Sequence, residues 1–248
     1  YEEIYILWEQ ELKYRPNFQT IGDIVKMPVI YAKVSGIKDN NIDEYWRNIK
    51  KLSEKNAYLV KDVPFIKNNN YNPIKQYATE FFKNGKLLKE KIKSHHAYPY
   101  KFIRDEIQDH ILNKLETLIN SKIIKGTFQN GTEYTIISTV LNINKEILRM
   151  IQNFDFTKIN PKIIFINTSE KIYSLEDAIL TAFLNLIGFD IVFFIPTGYK
   201  GVEFYFNNCD IEEHQIGDYV YDLTVPDLNN IASGQNRSLM DIIFKRGS

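Results

Sequence analysis

Residues 162–203 read KIIFINTSEKIYSLEDAILTAFLNLIGFDIVFFIPTGYKGVE, and they decide the fold. KIIFIN is apolar at consecutive positions, the pattern of a central parallel strand covered on both faces. Ser174 with Asp177 makes a capping-box-like helix start. Leu175, Ala178, Ile179, Ala182, Phe183, Leu186 and Ile187 then recur at helical spacing, and Gly188 follows as a C′ glycine. Leu180 and Leu184 widen that apolar face, so the helix should be covered on more than one side. FDIVFFI reads as a second buried strand, stopped by Pro196. Strand, helix and strand in that order make a βαβ crossover with its two strands parallel. Open α/β sheets bind ligands outside the carboxyl ends of their strands. Chemistry is therefore expected at Asn167, Thr168, Ser169 and Glu170, and at Thr197, Gly198, Tyr199 and Glu203, just past the two strand ends.

Toward the N-terminus, residues 1–15 space Ile4, Leu7, Trp8 and Leu12 as a short amphipathic helix. PVIYAKV (28–34) is a β-branched strand closed by Ser35 and Gly36, a third strand end comparable with the other two. Asn40 and Asn41 precede a helix over 42–55, with Ile42, Tyr45, Trp46, Ile49 and Leu52 on one face and lysines near its end. NAYLVKDV (56–63) follows as a strand, so the first 66 residues look like a small βαβ unit of their own. From Asn72 the pattern turns helical. Asn72-Pro73 opens a helix that Gly85 breaks, and KLLKEKIKS (86–94) is short and basic. Residues 99–122 form the clearest long amphipathic helix, its apolar face running from Phe102 and Ile103. Asn144 caps a helix over 145–154.

Residues 123–141 admit two readings. Asn130-Gly131 between β-branched residues signals a hairpin, which would place a wing beside a helix. Thr132 and Glu133 could equally begin a helix to Leu141. No Arg or Lys lies between Lys125 and Lys145, so a wing would have almost nothing to grip phosphate, which argues against nucleic acid. Near the C-terminus, DYVYDLTV (218–225) suggests a strand, residues 229–238 a polar loop and residues 239–247 a short helix. The chain thus divides into a first part of a sheet domain (1–70), a helical insert (71–156) and a second part of the sheet domain with an acidic C-terminal segment (157–248). The fold class is α/β, a mostly parallel Rossmann-like sheet with a helical insert.

With 248 residues, 44% hydrophobic and 14% aromatic, the chain can bury a sizeable core and is not of disordered type. No apolar run is long enough to span a membrane as a helix. The single cysteine, Cys209, excludes an internal disulfide framework and a cysteine-based zinc site, and fits a reducing cytoplasm. The net charge of zero hides an asymmetry. Residues 74–126 hold 11 Lys/Arg against 6 Asp/Glu, whereas residues 166–230 hold 2 against 11. Asp210, Glu212, Glu213, His214, Asp218 and Asp222 are the densest acidic group, but they lack EF-hand spacing and read better as a solvated face. None of the four histidines has metal-ligand spacing. The strand-end loops match neither the dinucleotide fingerprint nor the P-loop. Gly198 beside Thr197 could let backbone N–H groups approach an anion, and Tyr199 could stack on a base or sugar. Turn chemistry explains the same residues as well.

Four segments resemble the YceG-like family of bacterial tellurite-resistance and stress-response operons: RPNFQTIGDIVKMPVIYAKVSG (15–36), YPYKFIRDEIQDHILNKL (98–115), residues 174–203 and EEHQIGDYVYDL (212–223). The Ile-Pro-Thr-Gly-Tyr-x-x-x-Glu segment (195–203) is the most specific of them. The resemblance implies a cytoplasmic component of a "biosynthetic module", acting beside TerD-like and TerC-like partners on a nucleotide-like metabolite. It also implies that the chain is the C-terminal portion of a longer protein. It supplies no catalytic residue, cofactor or reaction. Ser35, Gly36, Asn167, Thr168, Ser169, Glu170, Thr197, Gly198, Tyr199 and Glu203 are the expected ligand-binding set; the alternative is a non-catalytic scaffold docking through the acidic face or the insert.

Overall fold

The computed structural model describes residues 1–22, 24–67, 71–155, 158–208 and 211–231. Cys209, Asp210 and the expected terminal helix lie outside that range. The chain opens with α1 (Glu2–Glu9), whose Ile4 and Trp8 are buried, and a small antiparallel ribbon of β1 (Gln19–Ile21) and β2 (Ile24–Lys26). The main sheet begins at β3 (Tyr31–Ser35), every residue of which is buried. Next come α2 (Ile42–Ser53), where the Asn41 side chain caps the Glu44 N–H, and β4 (Ala57–Val60). Ile42 remains exposed, so the buried stripe of α2 starts at Tyr45 instead.

The insert follows. Asn72 caps the Ile74 N–H, but the turns it opens are 3₁₀ (Lys75–Glu80) and not α-helical. A two-residue hairpin of β5 (Phe82–Lys83) and β6 (Lys86–Leu87) turns on Asn84-Gly85. Then come α3 (Lys89–Ser94), α4 (Asp105–Ser121), α5 (Thr132–Val140) and α6 (Lys145–Gln152). Phe102 and Ile103 precede α4, and Phe102 is largely exposed, so that helix starts later than its apolar pattern suggests. The Asn130-Gly131 pair leads into α5, with Gly131 in the left-handed region, and the hairpin alternative is excluded. Asn144 caps α6 through the Ile147 N–H, as expected.

The sheet resumes with β7 (Lys162–Ile166), α7 (Leu175–Ile187) and β8 (Asp190–Ile195), and ends with β9 (Glu212–Gln215). All four pairings in the order β4-β7-β8-β3-β9 are parallel. β7 and β8 are adjacent and pair from Lys162↔Asp190 to Ile166↔Phe194, as the crossover requires. β3 and β4 are not neighbours, because β7 and β8 lie between them; the first 66 residues are therefore no unit of their own. The strand expected at 218–225 is absent. That segment is irregular, and the edge strand β9 forms just before it, from EEHQ, a run too polar to announce a strand.

Alternation along the strands separates two cores. Ala32, Val34, Ile164, Ile166, Val192 and Phe194 face α1 and α2. Ile163, Phe165, Ile191 and Phe193 face α7, and the insert packs over the far side of α7 through α4 and α5. That double cover explains why residues 177–184 are buried without interruption. Asp177 closes the capping box with Ser174 and also accepts the Phe65 and Ile66 N–H groups at 3.1 and 2.7 Å, tying the segment after β4 to the start of α7. No helix among the described residues is long and apolar enough to cross a membrane.

Candidate functional site

β7, β8 and β3 deliver their carboxyl ends to one edge of the sheet, so the loops after Ile166 and Ile195 and the Ser35-Gly36 turn share a rim. The polar centre of that rim is Lys33. A lysine inside a strand buried on both faces must find carboxylates, and Lys33 finds two. Its Nζ lies 2.8 Å from Glu203 Oε1 and 3.3 Å from Glu213 Oε1. Burial alone would lower its pKa, but the two carboxylates outweigh that and raise it. Ser35 Oγ donates to Glu213 at 3.4 Å, and the Gly201 N–H donates to Glu203 at 2.9 Å. Glu203 is about a quarter exposed and Glu213 half exposed, so each keeps acceptor capacity toward solvent. Tyr173 is fully buried on the α7 side of the sheet, edge-on to Phe193. Its hydroxyl has no hydrogen-bond partner among the described residues, and burial followed by the Asp177 and Glu203 charges pushes its pKa far up.

The expected site residues divide into two groups. Ser35, Gly36, Thr197, Gly198, Tyr199 and Glu203 lie around adjacent strand ends. The loop from Asn167 to Glu170 follows β7, separated from β3 by β8, at roughly two strand spacings, about 10 Å. Within that loop Asn167 Oδ1 accepts from Ser169 N (3.2 Å) and Ser169 Oγ (3.1 Å), while its amide donates to the Lys171 carbonyl. Thr168 is half-buried, and Ser169 and Glu170 are exposed. Thr197 Oγ1 accepts the Tyr199 N–H at 3.2 Å, a local turn contact. Both glycines serve close approach. At Gly36 (φ 72°) a Cβ would stand 2.2 Å from the Gly217 carbonyl oxygen, and at Gly198 (φ 65°) 2.4 Å from the Tyr219 ring. The segment 216–220 crosses the rim there, bonded to Ser35 O, Ile37 N and Pro196 O.

Sequence reasoning missed Lys33, although one signal was present: a lone charge within an apolar β-branched run. Glu213 was visible only as part of a solvated acidic face, because the pairing of β9 with β3 was not. Two cavities lie away from the rim. One of about 600 Å³ is in the insert, and one of about 240 Å³ is lined by Met27, Lys114 and Asn185. No group of His, Cys, Asp and Glu side chains among the described residues is arranged to hold a metal ion.

These features define a parallel α/β sheet domain with a charged, hydroxyl-bearing carboxyl rim and a helical subdomain packed over one face. The chain belongs to the YceG domain family, whose model matches residues 1–221. It is 23% identical over 226 residues to "Uncharacterized protein YceG" of Bacillus subtilis (strain 168), a match covering 89% of this chain and 42% of the relative. The chain thus spans well under half the length of that curated relative. No solved structure matches significantly.

Proposed function

We propose that this chain is the ligand-binding domain of a cytoplasmic, tellurite-resistance-associated stress-response protein, and that the carboxyl rim of a Rossmann-like sheet takes a nucleotide-like metabolite in a biosynthetic step. The observation that carries this is the convergence of Lys33, Ser35, Glu203 and Glu213 at adjacent strand ends. Two partly exposed carboxylates accept hydrogen bonds from sugar hydroxyls or an exocyclic amine, and the buried lysine offers a charged donor. The acidic surroundings favour the base-and-ribose end of such a ligand over its phosphate.

Thermal unfolding against a panel of nucleosides, nucleotides and sugar nucleotides, with and without Mg²⁺, tests this. A ligand at about 100 times its Kd stabilises by about 2.7 kcal/mol. Glu203→Gln with Glu213→Gln should abolish the shift of at least one compound of the panel while the unliganded variant still melts cooperatively. If every shift survives both substitutions, the rim is not the site. No shift with any compound, together with a co-purifying TerD-like or TerC-like protein, supports a scaffold docking through the acidic face or the insert.

A further inference from the structure

The cavity of about 600 Å³ lies in the insert, between the β5–β6 hairpin, the end of α4 and the loop entering α5. It is an open depression on the surface and not an enclosed pocket, with a volume within the range of small-molecule sites. Its lining combines two chemistries. Phe82 and Phe128 present their rings 5.6 Å apart at an interplanar angle of 31°, with Tyr134 beside them. Lys83 and Lys122 also line the cleft, and neither is paired with a carboxylate among the described residues; the Lys122 ammonium stands 5.7 Å from the Phe128 centroid. Asn84 and Asn120 also line the cleft.

Phe128 is the informative residue. Its φ is 63°, a backbone state that a bulky L-residue adopts at a cost of about 1–3 kcal/mol. Burial does not explain the strain, because the side chain is 42% exposed. The conformation is held by Glu133, buried in the first turn of α5, whose Oε2 accepts the Phe128 N–H at 2.8 Å. That contact also engages Glu133, the only acidic residue lining the cleft among the described residues. A ring held out into a lysine-lined cleft at conformational cost suits stacking on a neutral planar ring whose attached anionic group reaches the lysines.

We propose that this cleft binds a nucleoside phosphate, the base stacking on Phe128 and Phe82 and the phosphate pairing with Lys83 and Lys122. The proposal stands apart from the carboxyl rim, which is on a different part of the molecule and has the opposite charge preference. Stacking is tolerant of base identity, so purine and pyrimidine nucleotides should both bind.

Calorimetric titration of the whole chain with adenosine monophosphate, uridine monophosphate, adenosine and inorganic phosphate tests it. Both nucleotides should bind, more weakly as salt is raised, and adenosine and inorganic phosphate should each bind at least about tenfold more weakly. Lys83→Gln with Lys122→Gln, at exposed positions, should weaken nucleotide binding by at least about tenfold with the melting temperature unchanged. Phe128→Asn places a residue tolerant of positive φ at the strained position. It should weaken binding while keeping or raising the melting temperature, an outcome that a merely structural phenylalanine would not produce. Absence of nucleotide binding at millimolar concentration, or undiminished binding in both variants, overturns the proposal. Loss of nucleotide binding in Glu203→Gln while the lysine variant still binds assigns the ligand to the rim and likewise overturns it.

Discussion

Asp190 shows how single residues hold this chain together. Its carboxylate is fully buried at the amino edge of the sheet. Oδ1 accepts from Arg15 Nη1 and the Ile30 N–H, both at 2.8 Å, and Oδ2 accepts from Arg15 Nη2 at 2.6 Å and Lys162 Nζ at 2.7 Å. All five Arg15 N–H groups are used, the others going to Gln10 O, Pro28 O and Asn160 Oδ1. Two cations share one carboxylate, and the surplus charge leans on the Trp8 ring, 4.8 Å from Lys162 Nζ. Burial alone would raise the Asp190 pKa, but the Arg15 hydrogen bonds and the Lys162 and Arg15 charges hold it below the ordinary carboxylate range. Asp190→Asn should cost about 3–5 kcal/mol in chemical denaturation, because it strands two buried cations. The sign with pH follows from the lowered value. The Asp190 contribution is complete above the unfolded-state pKa of about 3.9 and is lost as pH falls through the folded value. The acid limb of a stability profile should therefore be shallower in Asp190→Asn than in the parent chain.

At the scale of elements, α7 carries the most consequence. Its N-terminus is closed by both halves of the Ser174–Asp177 box, and Asp177 reaches two further N–H groups beyond β4. Asp177 is more than a cap. It joins the end of one edge strand to the helix that supports the centre of the sheet. Ser174→Ala removes only the hydroxyl acceptor and should cost about 1 kcal/mol in denaturant unfolding. Asp177→Ala removes the acceptor of three part-buried N–H groups and should cost clearly more than the serine change. Equal losses for the two would show that the contacts to Phe65 and Ile66 contribute nothing.

Over the whole molecule, the strand order puts β7, β8 and β3 in the interior of the sheet and leaves β4 and β9 at its edges. β9 is largely exposed and polar, whereas every residue of β7, β8 and β3 is buried. Amide hydrogen exchange should show the three inner strands opening only with global unfolding, and β9 opening locally at lower free energy. Equal protection of β9 and β8 would contradict this hierarchy. The charge asymmetry also takes a spatial form at this scale. The rim is rich in carboxylates, and the insert presents lysines around an aromatic cleft, so the two surfaces carry opposite charge.

The periodicity of residues 162–195 was sufficient to specify a parallel crossover, because a strand buried on both faces and a helix covered on two sides leave continuous apolar runs that need no tertiary knowledge to recognise. Caps at Asn144 and Ser174 were legible for the same reason: each acts on N–H groups within three residues. The tertiary structure alone decided what depends on long-range pairing. It inserted β7 and β8 between β3 and β4, recruited the polar EEHQ run as β9, and brought Glu203 and Glu213 to Lys33 across 170 and 180 residues of chain. It also filled much of the expected rim with the 216–220 crossing and left the lysine-lined cleft open in the insert. Local hydrophobic spacing encodes which faces are buried; which partner covers them, and where a gap is left, is set by packing between segments that the linear pattern keeps far apart.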